Sequence, residues 1–234
     1  MTPRAGLIFA AGFGTRMGAL TRDRPKPLIE VAGRPLLEHA LTPVREAGIG
    51  RIVVNAHYRA DMLADYLGHS APDVALSIED PILETGGGLR YALPKLGPGP
   101  VVTMNSDAVW RGPNPVTVAC AAWDATQMDA LLLCVPRARA VGHPGAGDFT
   151  KAGAGHAPGC LTRGGDLVYT GVQVINPAGL ASIPDRAFSL NLAWTEMAAR
   201  GRLLGVVYEG AWCDVGHPAG IPQAEALLTD VYSD

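Results

Sequence analysis

Gly12, Gly14, Arg16 and Lys26 stand close together in Ala10-Ala11-Gly12-Phe13-Gly14-Thr15-Arg16-Met17 and Pro25-Lys26-Pro27. The apolar run Leu7-Ile8-Phe9 leads into them and reads as a buried strand that ends in a loop of exposed backbone N–H groups. Such a loop cradles phosphate oxygens, and Arg16 and Lys26 add fixed positive charge beside it. Glycines alone also make an ordinary turn. The two cations and the Pro-Lys-Pro clamp favour the phosphate reading. The spacing is not that of a Walker loop, because no Gly-x4-Gly-Lys-Ser/Thr run is present. Nor is it Gly-x-Gly-x-x-Gly: Gly18 comes one residue late, and Arg16 falls where that motif packs helix on strand.

Two carboxylates complete the set. Asp107 ends the apolar run Val101-Val102-Thr103-Met104-Asn105-Ser106-Asp107, and Asp214 sits in Trp212-Cys213-Asp214-Val215-Gly216. Ligands of open α/β sheets bind beyond the carboxyl ends of the strands, so Asp107 faces the same crevice as the glycine loop. Either residue by itself is also an ordinary strand-ending Asp.

Taken together, the Ala10–Met17 and Pro25–Leu28 segments closely resemble the signature of sugar-1-phosphate nucleotidylyltransferases. The resemblance runs from Leu7 to about Leu228 and implies attack of a sugar 1-phosphate on the α-phosphorus of an NTP, expelling pyrophosphate. It implies that Arg16 grips the departing β and γ phosphates while Lys26 reaches the α-phosphate and the sugar phosphate. Asp107 and Asp214 are the implied Mg²⁺ ligands. Ala10, Ala11, Gly12, Gly14 and Thr15 form the implied nucleotide loop. Asn55 and Glu84-Thr85-Gly86-Gly87 would line the base pocket, three successive glycines (Gly86 to Gly88) letting a flat base lie on main chain. Asp148, Thr170 and Gly171 would approach the sugar.

Within the family, the Glu-Thr-Gly-Gly-Gly form points to UTP and N-acetylmuramate 1-phosphate. GTP with mannose or heptose phosphate is the alternative, and a non-catalytic nucleotide-sugar sensor is a rival of another class. Two departures stand out. Ser106 replaces the usual glycine before Asp107, and the Glu-Lys-Pro element that holds sugar and phosphate is absent, with Lys151 a weak substitute.

The elements that must position these groups follow from periodicity. Short apolar runs at Leu7–Ala10, Arg51–Asn55, Val74–Ile78, Val101–Asn105, Ala130–Val135, Val168–Ile175 and Leu203–Tyr208 alternate with amphipathic stretches. The pattern predicts an α/β fold, and with the resemblance a Rossmann-like three-layer α/β/α sandwich with a mixed, mostly parallel central sheet. Leu36 to Ala47 reads as a helix that Pro43 should kink or shorten, and Met62 to Leu67 as a helix ended by Gly68. Further helices are expected at 116–125, 190–200 and 219–231.

Residues 142–165 hold eight glycines and predict a loop-rich excursion with at most short strands. No clean boundary divides the 234 residues, so one domain is expected. A net charge of −3 gives no general reason to bind nucleic acid or acidic membrane. The four cysteines lack C-x-x-C spacing, and no signal peptide or spanning segment is apparent, so a cytoplasmic address is expected. Oligomeric state is not readable from the letters.

Overall fold

The computed structural model describes residues 2–229. Strand β1 (Ala5–Phe9) leads through two 3-10 segments to the short hairpin β2 (Glu30–Val31) and β3 (Arg34–Pro35), then α1 (Leu36–Glu46). There follow β4 (Arg51–Ala56), α2 (Ala60–Ser70), β5 (Ala75–Ile78), α3 (Glu84–Leu96), β6 (Val101–Asn105), β7 (Ala108–Arg111) and α4 (Pro115–Ala122). Next come β8 (Ala130–Pro136), β9 (Ala140–Val141), β10 (Phe149–Lys151), β11 (Gly159–Arg163) and β12 (Leu167–Ile175). The described chain ends with α5 (Leu190–Ala199), β13 (Leu203–Val207), β14 (Ala211–Asp214) and α6 (Gly220–Thr229).

The central sheet has the order β10-β11-β13-β8-β12-β6-β1-β4-β5. β6, β1, β4 and β5 are mutually parallel, as are β8 and β13, while β12 runs against β6 and β8, and β11 against β13 and β10. The sheet is therefore mixed, with β11 and β12 opposing the common direction. Its period-two side chains serve two cores. Ile8 and Val54 face α1, α2 and α4, where Leu37, Leu41, Leu63 and Val116 are buried. Leu7 and Val53 face α3 and α5, where Leu89, Leu96, Leu190 and Met197 are buried. This is the expected three-layer α/β/α arrangement. A third cluster, Met17, Ile29, Val109, Cys213 and Ala224 among others, seats α6 on the small sheet β7-β14-β9.

Several local expectations are revised. Pro43 lies in the last turns of α1 without ending it, since its missing N–H removes a single i→i−4 bond. α2 continues past Gly68 to Ser70. The 142–165 excursion, by contrast, keeps to the short strands expected of it: β10 and β11, of three and five residues, join one edge of the main sheet. Within the expected last helix, Asp230 and Val231 lie outside the described residues.

The largest revision concerns Gly86 and Gly87. Helix α3 begins at Glu84, so these glycines are helical and buried. Both of their N–H groups donate to the Phe188 carbonyl, at 2.8 and 3.0 Å. A Cβ on Gly86 would collide with the Phe188 ring, and one on Gly87 would lie 2.6 Å from the Arg186 carbonyl. They allow close packing of the 186–188 segment on α3. Gly86→Ala should therefore lower stability by about 1–3 kcal/mol through overpacking. Thermal melting and the nucleotide KM of the folded fraction check this: the melt should fall while that KM stays within about twofold.

Candidate active site

The glycine loop leaves β1 at the carboxyl edge of the sheet and is anchored from beneath by Met17, whose side chain is 1% exposed. Gly14 adopts φ 64°, and a Cβ there would meet Thr21 Cγ2 at 2.9 Å and Lys26 Cβ at 3.0 Å. Conformation and crowding both demand glycine. Gly12 differs: a Cβ there meets nothing within 4 Å, and the residue opens onto a cavity. From the β4–α2 turn, Tyr58 Oη donates to the Thr21 carbonyl at 2.9 Å and tethers the loop from outside.

That cavity, of about 310 Å³, is lined by Ala10, Ala11, Gly12, Gly14, Thr15, Arg16 and Lys26, with Asn55, Glu84, Thr85, Asp107 and Gly216 opposite. Lys26 Nζ donates to Asp107 Oδ2 at 2.7 Å, in a pair whose side chains are only 11% and 25% exposed. Asp214 belongs to the same cluster because β14 pairs with β7, setting Asp214 opposite Ala108, and because the Val215 N–H donates to the Asp107 carbonyl at 2.8 Å. Burial, then the Asp107 charge, holds the Asp214 carboxyl above its ordinary value of 3.8, with Lys26, Arg16 and His143 pulling the other way. Two acids distant in sequence thus share one electrostatic site with both predicted cations.

Gly216 is the joint of this cluster. A Cβ there would lie 2.9 Å from Asp214 Oδ2 and 3.1 Å from Arg16 Nη1. Gly216→Ala should keep the fold, because side-chain ends can yield, while lowering kcat/KM on the order of tenfold to a hundredfold by displacing both groups. Steady-state kinetics beside a melting curve would check it.

At the far end of the cavity the structure adds a residue absent from the sequence reading. Glu79 is 1% exposed, accepts from Asn55 Nδ2 at 2.6 Å and from the Leu83 N–H at 2.8 Å, and burial raises its pKa. Asn55 Oδ1 in turn accepts the Ala10 N–H at 2.7 Å. The Ala10 amide is therefore spent on positioning the loop and is not a phosphate donor. Glu84 lines the cavity with φ 60°, an uncommon backbone conformation for a residue with a side chain. Thr85 also faces the cavity, and its Oγ1 accepts the Leu190 N–H at 3.0 Å.

A second cavity, of about 250 Å³, shares Phe9, Thr85 and Asn105 with the first and contains Asp148, Arg163, Tyr169, Asn191 and Trp194. Asp148 lines this cavity, with Oδ2 accepting the Tyr169 N–H at 2.9 Å. Thr170 is not on this surface: it is 2% exposed and its hydroxyl donates to the Leu133 carbonyl at 2.7 Å. Gly171, at φ 91° within a register shift of β12, has its Cα side against Asn105, whose atoms a Cβ would meet at 2.8–2.9 Å. Lys151 is turned away, with Nζ donating to the Gly153 and Ala157 carbonyls. Ser106 Oγ donates to the Phe9 carbonyl at 2.7 Å, so the residue replacing glycine directs its side chain into the sheet.

Elsewhere the chemistry is quiet. All four cysteines are free, and burial pushes Cys120 up to about 11 and Cys213 up to about 12. Among the described residues no helix is long and apolar enough to cross a membrane.

Comparison with known proteins agrees with this geometry. Residues 6–218 match the family model described as MobA-like NTP transferase domain. The chain is 39% identical to N-acetylmuramate alpha-1-phosphate uridylyltransferase of Caulobacter vibrioides, over 97% of this chain and 98% of that protein. It is 30% identical to the protein of the same name from Neisseria meningitidis serogroup B, over 94% and 96%. Among solved structures, a putative glucose-1-phosphate thymidylyltransferase from Bacillus anthracis, in complex with a sucrose, superposes with TM-score 0.80 at 16% identity, covering 98% of this chain and 97% of that one. The chain belongs to the MobA-like NTP transferase family, in its sugar-1-phosphate nucleotidylyltransferase branch.

Proposed function

We propose that this site transfers a uridylyl group from UTP to N-acetylmuramate 1-phosphate, releasing pyrophosphate. The observation that carries this reading is the gathering of Arg16, Lys26 and Asp107 around one cavity floored by the glycine loop, with Asp214 just behind that lining and coupled to all three by charge. The relatives' shared name supplies the substrates.

The attacking phosphate oxygen is already anionic, so no base and no covalent intermediate are required. The protein must hold two mutually repelling anions in line and neutralise charge as pyrophosphate leaves. Arg16, with its planar fork, grips the leaving phosphates, and Lys26, a compact charge fixed by Asp107, sits at the reaction centre. At about 4 Å and an effective dielectric near 20, each such contact is worth on the order of 4 kcal/mol before desolvation. Glu79 and Asn55 hold the loop at the base end.

Asp107 and Asp214 fit a Mg²⁺ ion: they are two neighbouring oxygen donors whose mutual repulsion raises Asp214, and a divalent charge relieves it. When bound there, Mg²⁺ supplies further charge neutralisation to the phosphates. No cluster of three or more His, Cys, Asp or Glu able to hold a metal occurs among the described residues, so an ion held by these two carboxylates would need further oxygen donors from substrate and water. Ser106, the one feature favouring a sensor, lines the cavity, but its hydroxyl is committed to the Phe9 carbonyl. Substrates of such charge do not cross membranes unaided, which supports a cytoplasmic address.

Pyrophosphate release with Mg²⁺ should be measured for UTP, GTP, CTP and dTTP against N-acetylmuramate, N-acetylglucosamine and mannose 1-phosphates. UTP with N-acetylmuramate 1-phosphate should be turned over fastest. A tenfold preference for GTP with mannose 1-phosphate would overturn the substrate assignment. Tight nucleotide binding without pyrophosphate from any pair would overturn catalysis.

A further inference from the structure

We infer that Arg163 is the specificity residue of the sugar-side cavity and binds a carboxylate carried by the sugar itself, separate from the reacting 1-phosphate. The inference rests on the proposed N-acetylmuramate 1-phosphate activity, because that sugar bears a lactyl ether with a free carboxylate.

Among the described residues lining this cavity, Arg163 carries the only positive charge and Asp148 the only negative charge. The Arg163 guanidinium lies over the Phe149 ring at 4.7 Å and the Trp194 ring at 5.7 Å, and Nη2 donates to Asn191 Oδ1 at 2.7 Å. The platform beneath it is rigid. Trp194 Nε1 donates to Gln173 Oε1 at 3.0 Å, Gln173 Nε2 donates to Thr103 Oγ1 at 3.0 Å, and Tyr169 meets Trp194 edge-on at 5.0 Å. The two rings, with centroids 6.2 Å apart, flank the guanidinium from neighbouring sides, and its planar fork of N–H groups matches a carboxylate with two parallel bonds. Asp148 supplies the opposite polarity: Oδ2 is engaged by Tyr169, and the carboxylate suits a sugar hydroxyl. With Lys151 turned into its own loop, Arg163 is the cation this cavity offers to a substrate anion.

A neutral sugar would gain little from such a group, whereas an acidic one is selected by it. The reacting phosphate already meets Arg16 and Lys26 in the adjoining cavity. The test is a comparison of Arg163→Gln with the unaltered enzyme, measuring kcat and KM for N-acetylmuramate 1-phosphate and for N-acetylglucosamine 1-phosphate, which lacks only the lactyl group. Arg163→Gln should raise KM for the acidic sugar by about tenfold to a hundredfold and for the neutral one by no more than about threefold, with KM for UTP unchanged. Arg163→Lys, which keeps charge but loses the fork, should fall between.

Equal losses on both sugars would place Arg163 on the 1-phosphate or on the fold and overturn the inference while leaving the uridylyltransferase reading intact. Failure of the unaltered enzyme to use N-acetylmuramate 1-phosphate would end both. Melting curves of the variants separate a folding defect from lost recognition, because an exposed side chain at a strand end should cost no more than a few degrees.

Discussion

Asp107→Asn and Asp214→Asn should each reduce turnover at least about a thousandfold with Mg²⁺ present, while only Asp107→Asn lowers stability. The loss of activity follows from removing one of two oxygen donors at the point where phosphate charge concentrates. The divergence in stability follows from their different surroundings. Asp107 partners Lys26 at 2.7 Å, and Asn would leave a nearly buried ammonium unpaired. Discounted for the partial exposure of Asp107, that loss is about 1–3 kcal/mol. Asp214 is a carboxyl held above 3.8 by burial and by Asp107. A raised native pKa means that the stability this group provides is complete below 3.8 and is lost as pH rises through the native value. Ionised Asp214 is therefore a liability at neutral pH, and Asp214→Asn should melt at the same temperature or higher, with a flatter dependence of stability on pH above 3.8. Melting curves across pH, paired with pyrophosphate-release rates, read both effects. Near-normal activity in either variant would refute the paired-carboxylate site.

Lys26→Ala should lower kcat by about two to four orders of magnitude and leave KM for UTP within about threefold. In the proposed mechanism the triphosphate tail is bound by Arg16 and the glycine loop, whereas Lys26 acts where negative charge accumulates between nucleophile and leaving group. A second signature follows from electrostatics. Lys26 is one of the charges holding the Asp214 pKa down, so its removal should raise that pKa further. The acid limb of the kcat profile should then move to higher pH, because Asp214 must be ionised to act as a ligand. Lys26→Arg keeps the charge but not the compact head, and should restore the pH profile more fully than the rate. An unshifted acid limb in Lys26→Ala would mean that Lys26 and Asp214 are not coupled.

The glycine loop, its cations and the strand edges were legible in the letters because each rests on short-range constraints. A period-two apolar run marks a strand facing two cores, as Leu7 and Ile8 do. A positive-φ turn calls for glycine, as at Gly14. Helix caps are equally local: Asn114 accepts the Val116 and Thr117 N–H groups, and Ser189 that of Asn191.

What the letters left open was what each surface would meet. Glycine is silent about its neighbour, so nothing in the letters showed that Phe188 and Arg186 pack against Gly86 and Gly87. Thr170 read as a sugar contact because nothing in its own segment shows that its hydroxyl ends on Leu133. Glu79 and Arg163 belong to no motif and acquire meaning only from the cavities they line. The family resemblance named Asp107 and Asp214, but their coupling is created by the pairing of β7 with β14, a contact between segments half the chain apart. Backbone preference and side-chain period act over a few residues and are written in order along the chain. Burial, charge coupling and cavity shape depend on which distant segments pack together, and only the tertiary structure decided those.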